Sequence, residues 1–247
     1  MSGHSKWSTI KHKKGIADDK RGQLFTKLGR EVTVAARGGP DPETNSTLRM
    51  ALQKARDANM PKDTVERALK RGSGDGEGAA LEEITYEGYG PGGTAILVEA
   101  LTDNRNRTVA DVRYCFSQAG GNLASAGAVA YLFDTRGVIT IDADGVDPDD
   151  VALRAIDTGA DDVNVEDGAV EVFTPPGALE EVRKALTDAE TPIASAEIAK
   201  VPKTTVLLDE RQATQVLRLL ERLEDLDDVQ RVSTNADFPA EALAAYA

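Results

Sequence analysis

The sequence predicts a multidomain fold of α and α+β type. An N-terminal helical bundle is followed by two ferredoxin-like α+β domains, and the third domain is inserted in the second. Three observations predict this: apolar residues recur at helical spacing over the first third, a glycine-rich segment follows at 73–80, and strands then alternate with helices. The chain has 247 residues, of which 40% are hydrophobic and 29% charged, as is ordinary for a globular protein.

The first third predicts three short helices. An apolar stripe marks a helix over 15–36 and consists of Leu24, Phe25, Leu28 and Val32. Asn45 or Ser46 is suited to cap a second helix, and Pro61 suits the first turn of a third helix that Gly72 ends. Short loops between these helices favour a small bundle.

After the glycine-rich segment, residues 136–202 predict a complete βαββαβ unit, the ferredoxin-like order. Its expected strands are 137–141, 162–165, 169–173 and 193–199, and its expected helices are 149–157 and 179–189.

Two incomplete units flank it. The first has strands at 94–101 and 128–133 around a helix at 105–118, and the second has an extended segment at 205–208, a helix at 210–224 and a strand at 229–233.

A half-sheet alone cannot bury its face. We therefore expect residues 81–135 and 203–236 to form one split domain, with 136–202 inserted. Residues 1–72 form the helical domain, 73–80 are a flexible linker, and 237–247 are a tail.

Charge is distributed very unevenly. The net charge is −13, yet residues 1–72 hold 16 basic and 8 acidic residues, a net +8, whereas the remaining 175 hold 13 basic and 34 acidic residues, a net −21. A basic module on an acidic body favours a polyanionic partner that meets one face only.

The N-terminal arm is the most basic segment and contains no acid. Its candidate contacts are His4, Lys6, Trp7, Lys11, His12, Lys13 and Lys14. Lysines would neutralise phosphates, and a tryptophan can stack on an exposed base. The alternative is a solvated basic tail whose tryptophan packs on the bundle. The two histidines lack a nearby carboxylate or thiol, so we expect no metal.

The first helix continues the basic stripe with Lys20, Arg21, Lys27 and Arg30. Lys20, Lys27 and Arg30 share a face opposite the apolar stripe. Beside the arm they extend the same predicted footprint, although alone they would be a solvated face.

A second anion contact is predicted at Asn104, Arg105 and Arg107. Asp103 or Asn104 can cap the helix that begins there. Two arginines in a first turn are electrostatically unfavourable unless an anion lies there. The alternative is that both pair with acids such as Glu99 or Asp111.

Nothing in the sequence indicates an enzyme or a cofactor. The glycines at 88, 90 and 93 precede a strand instead of opening a helix, so they predict a turn and not a dinucleotide site. The single cysteine, Cys115, is expected in the core. The first seven residues lack the apolar stretch of a signal peptide, and no segment reaches the length of a membrane span. We expect a cytoplasmic monomer with no small-molecule substrate.

Several segments resemble one family. They are Gly3–Trp7, Lys20–Gly22, Phe25–Lys27, Ala58–Pro61, Tyr86–Gly93, Asp103–Thr108 and Gly120–Leu123, and they resemble the YebC/PmpR family in order. The eukaryotic branch of that family is the mitochondrial translational activator of cytochrome c oxidase subunit I. The likeness runs from residue 1 to about 235.

The resemblance implies three domains, one helical and two α+β, and a non-enzymatic regulator of gene expression. Bacterial members are regarded as probable DNA-binding transcriptional regulators, and a competing view is a ribosome-associated factor that helps elongation through proline-rich stretches. The basic motif of the family falls on the arm residues and on Lys20, Arg21 and Lys27. Asp19 and Gln23 depart from the usual neutral and basic residues, which predicts a weaker footprint.

The predicted function is therefore nucleic-acid binding in the regulation of gene expression, with duplex DNA as the target. The close alternative target is ribosomal RNA or tRNA on the ribosome. Such RNA has an irregular surface with unstacked bases, and a flexible arm that carries Trp7 would favour binding to it. A third class is a protein–protein adaptor that works through the acidic domains.

Overall fold

The computed structural model describes residues 18–74, 80–142, 147–166 and 169–246. The α-helices of these residues are α1 (Asp18–Ala35), α2 (Ser46–Asp57), α3 (Lys62–Gly72), α4 (Arg105–Gln118), α5 (Pro148–Asp157), α6 (Leu179–Asp188), α7 (Glu210–Glu224) and α8 (Ala240–Tyr246). The strands are β1 (Glu82–Tyr89), β2 (Ala95–Thr102), β3 (Asn122–Leu123), β4 (Phe133–Asp142), β5 (Asp162–Glu166), β6 (Ala169–Thr174), β7 (Ile193–Pro202), β8 (Val206–Leu207), β9 (Val229–Thr234) and β10 (Ala236–Asp237).

Helices α1, α2 and α3 form the bundle that the sequence predicts. Asn45 caps α2, because its side chain accepts a hydrogen bond from the backbone N–H of Leu48 at 3.0 Å. Small side chains let the helices approach closely. A Cβ on Gly72 would lie 2.3 Å from the carbonyl oxygen of Thr33, so α3 meets α1 at a position that only glycine fits. The core side chains are Val32, Ala35, Ala36, Leu48, Ala51 and Ala68.

The first α+β unit is an antiparallel sheet with the strand order β3-β1-β2-β9. Helices α4 and α7 cover one face, and Phe116 and Leu217 are completely buried there. Because β9 pairs with β2, residues from both sides of the 133–202 segment belong to one sheet.

This unit differs from the ferredoxin-like order in two places. The sequence analysis missed β1, whose Glu82, Glu83 and Gly88 hide its strand character, yet β1 forms a hairpin with β2. The strand predicted at 128–133 is absent, because Ala130–Leu132 forms a 3₁₀ turn and Phe133 begins β4. The unit is therefore ββαβ followed by βαβ.

The second α+β unit has the predicted βαββαβ connectivity. Its strand order is β5-β6-β4-β7, and every neighbouring pair is antiparallel. Helices α5 and α6 cover the face that carries Ile139 and Val172, and these two residues and Leu186 of α6 are essentially inaccessible to solvent. Two strands are longer than predicted. β4 begins earlier, at Phe133, and β7 ends later, at Pro202.

The segment predicted as a tail belongs to the first sheet unit instead. Phe238 and Ala242 are buried in the core beneath α7, and β10 pairs with β8 in parallel. Two apolar residues at 238 and 242, just before and within α8, are the sequence pattern that would have indicated this packing.

Candidate nucleic-acid interface

The arm leads into α1 from its N-terminal side. Its predicted contacts His4, Lys6, Trp7, Lys11, His12, Lys13 and Lys14 lie outside the described residues, as does the side chain of Lys20. The structure therefore informs the interface through α1 and through the surfaces that surround it.

Two of the predicted contacts on α1 face the protein. Lys27 Nζ donates to the carbonyl oxygen of Glu224, and Arg30 Nη1 donates to the carbonyl oxygens of Leu101 and Asp227, each at 2.9 Å. Gln23 adds a longer contact to the carbonyl oxygen of Asp225 at 3.4 Å. Lys27 and Arg30 are therefore docked on the turn between α7 and β9, which argues against their predicted contact with phosphate.

Asp228 is the centre of this docking and is 5% exposed. Its carboxylate accepts from Arg30 Nη1 at 2.5 Å, from Arg107 Nη2 at 2.8 Å, and from the hydroxyls of Thr108 at 2.6 Å and Thr102 at 3.1 Å. We call these five residues the Asp228 junction. It joins the bundle to β2, α4 and the start of β9.

The junction keeps Asp228 ionised. Burial alone would raise its pKa, but the hydrogen bonds from Thr108, Arg107 and Arg30 outweigh burial and lower the pKa from 3.8 to about 2. The charge of Asp228 is thus matched by arginines from two different structural units.

The residues of the second predicted anion contact have different surroundings in the structure. Asn104 is the N-cap of α4 and accepts from the backbone N–H of Arg107 at 3.1 Å. Arg107 pairs with Asp228 and also with Asp103 at 2.9 Å, so it follows the ion-pair alternative, with acids other than Glu99 and Asp111. These hydrogen bonds raise the pKa of Arg107.

Arg105 stands apart from Arg107. It is exposed in the first turn of α4, and among the described residues no hydrogen bond or ion pair joins it to another side chain. It therefore remains available to an external anion.

The structure also brings together cations that the sequence analysis did not select. Ala36 and Gly72 are in contact, since a Cβ on Gly72 would lie 2.6 Å from the Cβ of Ala36. The residues next to this contact, Arg37, Lys70 and Arg71, are all exposed. They therefore place positive charge near the end of the bundle where α1 and α3 finish. The sequence positions of Lys70 and Arg71 do not indicate that α1 ends near them, and with it Arg37.

A second buried carboxylate shapes a loop beside the sheet. Glu87, 6% exposed, accepts from the backbone N–H groups of Gly127 at 2.5 Å, Val129 at 2.7 Å and Ala130 at 2.8 Å. Burial raises the pKa of Glu87, and these three hydrogen bonds lower it by more. The loop takes its form from an acid on β1 with no cation involved.

Arg231 links the two sheet units. Its Nη2 lies 2.7 Å from Glu197 Oε2 on β7, and its Nη1 lies 3.9 Å from Glu99 Oε2 on β2. Burial lowers the pKa of Arg231, but Glu197 and Glu99 raise it by more. The second α+β unit is thereby held to the sheet that carries the Asp228 junction.

No group of three or more metal-binding side chains occurs in the described ranges. Cys115 is in the core as predicted, and burial raises the pKa of its thiol, which makes it a poor nucleophile. Gly90, Gly92 and Gly93 lie in the predicted turn, which joins β1 to β2, whereas Gly88 lies within β1.

The part of the chain that the structure describes contains no helix long and apolar enough to cross a membrane.

Comparison with known proteins identifies the chain along most of its length. Residues 5–75 match a family model described as the TACO1/YebC protein N-terminal domain, and residues 81–236 match one described as the TACO1/YebC second and third domain.

Curated relatives cover the whole chain. A probable transcriptional regulatory protein of Dehalococcoides mccartyi is 57% identical over 100% of this chain and 98% of its own length. One of Moorella thermoacetica is 55% identical over 97% of each.

A solved structure has the same fold. The crystal structure of a conserved hypothetical protein from Aquifex aeolicus matches with a TM-score of 0.83 at 46% identity, over 90% of this chain and 92% of that one.

Proposed function

Because the chain belongs to the TACO1/YebC family, we propose that it regulates gene expression as a non-enzymatic, DNA-binding transcriptional regulator. The names of its relatives support regulation at the family level. The observation that carries nucleic-acid binding is the charge asymmetry, +8 in residues 1–72 against −21 in the rest. A polyanion is attracted to the bundle and repelled by the body.

The contact surface comprises the arm and the start of α1, together with cations that the fold leaves exposed elsewhere. The arm supplies His4, Lys6, Trp7, Lys11, His12, Lys13 and Lys14, and the start of α1 supplies Lys20 and Arg21. Arg105 and the cluster of Arg37, Lys70 and Arg71 extend this surface. Lys27, Arg30 and Arg107 have a different role, which is to fix the orientation of the bundle on the acidic body.

We propose that the 136–202 unit is a domain inserted in a split second domain. Arg231 attaches this unit to the first sheet unit, and the Asp228 junction attaches the bundle to that same sheet unit. Together the two attachments fix the acidic surface relative to the basic one. The protein works in the cytoplasm as a monomer, needs no cofactor, and uses the acidic units to prevent docking in the wrong orientation.

Ribosomal RNA is the second candidate target, and one observation favours it. The face of α1 that carries Lys27 and Arg30 is docked on the turn at 224–228, so that face cannot enter a major groove in the way a recognition helix does. A basic arm with a tryptophan suits splayed bases on an irregular RNA surface.

Co-sedimentation separates the two targets. The full chain is run with ribosomes on a low-salt gradient after DNase treatment, and the same preparation is tested for a shift of duplex DNA. The variant Lys11→Ala/Lys13→Ala/Lys14→Ala removes three positive charges from the arm. The control Arg211→Ala/Arg218→Ala/Arg222→Ala removes three exposed charges from α7.

A transcriptional regulator shifts DNA and stays at the top of the gradient. A translation factor travels with the ribosomes and loses that association in the arm variant but not in the α7 variant. If both variants behave like the wild type in both assays, the arm does not bind nucleic acid, and an adaptor function through the acidic units takes its place.

A further inference from the structure

The apolar side chains that remain exposed are concentrated in one place. Six large hydrophobic residues are exposed in the described ranges, and three of them lie on α5 and β5. Leu153 is 62% exposed, Ile156 56% and Val165 47%. Clusters of exposed apolar residues mark interaction sites more often than single ones do.

Ile156 and Val165 lie along one border of the inserted unit, and Leu153 lies on the adjoining outer face of α5. Val165 pairs with Val170, which is buried under the helices, so Val165 faces the same side at the sheet margin. On α5, Val151 and Ala155 point into the core, and Ile156 is rotated by about 100° from Ala155.

The two flanks of α5 have different neighbours. Asp150 and Arg154 line a shallow depression together with Thr191 beyond the end of α6, so that flank faces α6. The opposite flank, which carries Ile156, overhangs β5. We call Leu153, Ile156 and Val165 the α5–β5 edge.

The backbone at this border can accept another strand. β5 is the last strand of its sheet and pairs with β6 alone among the described strands. Its outer row of N–H and C=O groups is paired with no described strand, and the N–H of Val163 donates to Asp162 Oδ1 at 2.9 Å. An edge strand of this kind is the basis of recognition by strand addition.

Charge selects the partner. Residues 136–202 contain 16 acidic and 5 basic residues, a net −11. Leu153 lies one helical turn from Asp149 on one side and from Asp157 on the other, and both aspartates are exposed. A nucleic acid or the β5 strand of a second copy would meet like charge, whereas a polypeptide with basic side chains would meet opposite charge.

Acidic residues near an edge strand also prevent aggregation. That role accounts for the aspartates, but it does not account for Leu153 and Ile156, which contribute nothing to the core of the unit and remain exposed on the helix. We propose that the α5–β5 edge is a docking surface for a cationic polypeptide segment that adds to β5 as a strand and places apolar side chains against Ile156 and Val165.

A blocked heptapeptide of alternating lysine and valine is the probe, and its glutamate–valine counterpart is the charge control. Binding to the full chain is followed by fluorescence anisotropy, and hydrogen exchange of the β5 amides is followed in parallel. The proposal predicts binding of the lysine peptide alone, with slowed exchange of residues 163–165.

Matched variants separate this surface from general attraction to an acidic protein. Ile156→Ser/Val165→Ser is expected to weaken binding about tenfold, whereas Leu207→Ser, at a site 75% exposed on another unit, leaves it unchanged. Asp149→Asn/Asp157→Asn weakens binding, and Glu210→Gln/Glu241→Gln does not.

Unprotected β5 amides, or equal losses in the test and control variants, would overturn the proposal. So would sedimentation showing that the edge mediates self-association of the chain. The arm takes no part in this docking surface. If the arm fails to bind nucleic acid, the peptide-binding test is therefore unaffected.

Discussion

Arg30 and Arg105 are the same residue type in two basic segments, yet the structure gives them opposite surroundings. Arg30 enters the Asp228 junction from α1 and donates to a buried carboxylate and two carbonyl oxygens. Arg105 is exposed, and no hydrogen bond or ion pair joins it to another described side chain. Basic residues therefore have two roles in this protein. Arg30 orients the bundle, and Arg105 remains available to a partner.

The largest expected effect follows the loss of the Asp228 carboxylate, which lies at the centre of the junction. Asp228→Ala leaves Arg30 and Arg107 without their shared acceptor, and removing one partner of a buried ion pair costs about 3 kcal/mol. We expect a clear fall in unfolding temperature. Asp157→Ala, an exposed acid on α5, is the control, and an equally small change in both variants would contradict the junction's role.

Acidic pH should weaken the Asp228 junction, because Asp228 becomes protonated. The folded-state pKa of Asp228, about 2, lies below its ordinary value of 3.8, so its contribution is complete above about pH 4 and is lost as the pH falls towards 2. The shift corresponds to about 2 kcal/mol. The stability difference between wild type and Asp228→Asn, measured by urea unfolding, should shrink over this range. A difference that stays constant would argue against the lowered pKa.

Glu87 tests a buried carboxylate that has no cationic partner. In Glu87→Gln an amide N–H₂ replaces one of two acceptor oxygens and faces a backbone N–H, at a cost of about 1–2 kcal/mol. We expect faster hydrogen exchange at 127–130 than in the wild type. Exchange at the Asp228 junction should not change, and an effect that spreads there would show that the two carboxylates are coupled.

The smallest effect on stability is expected at Arg105. Arg105→Ala should change unfolding free energy by less than about 0.5 kcal/mol, because the side chain is exposed. It should nevertheless lower the salt dependence of nucleic-acid binding by about one phosphate contact. Lys27→Ala provides the contrast, with some loss of stability and an unchanged salt slope. The reverse pattern would mean that the two cations have exchanged roles.

Local structure was largely predictable because it depends on neighbours in sequence. The bounds of α4 and α7 follow from apolar periodicity and from a capping residue just before each helix, Asn104 and Asp209. The βαββαβ unit followed from alternation alone. β1 was missed because its acids and a glycine mask the pattern, and only pairing with β2 makes it a strand.

The candidate interface was predicted less well for a different reason. Arg30 and Asp228 are 198 residues apart, and nothing near either residue indicates the other. Charge and helical spacing identify which residues are basic and which share a face, but tertiary contacts decide which faces are open. The separation of Arg105 from Arg107 likewise depends on Asp228, which the sequence analysis did not select.

The salt dependence of nucleic-acid binding tests the division of cations most directly. The logarithm of the affinity for duplex DNA or ribosomal RNA is measured against the logarithm of salt concentration for the wild type, the arm variant Lys11→Ala/Lys13→Ala/Lys14→Ala, and Lys27→Ala. The account predicts a slope reduced by up to about three phosphate contacts in the arm variant and an unchanged slope in Lys27→Ala. An unchanged slope in the arm variant, or a reduced one in Lys27→Ala, would contradict it.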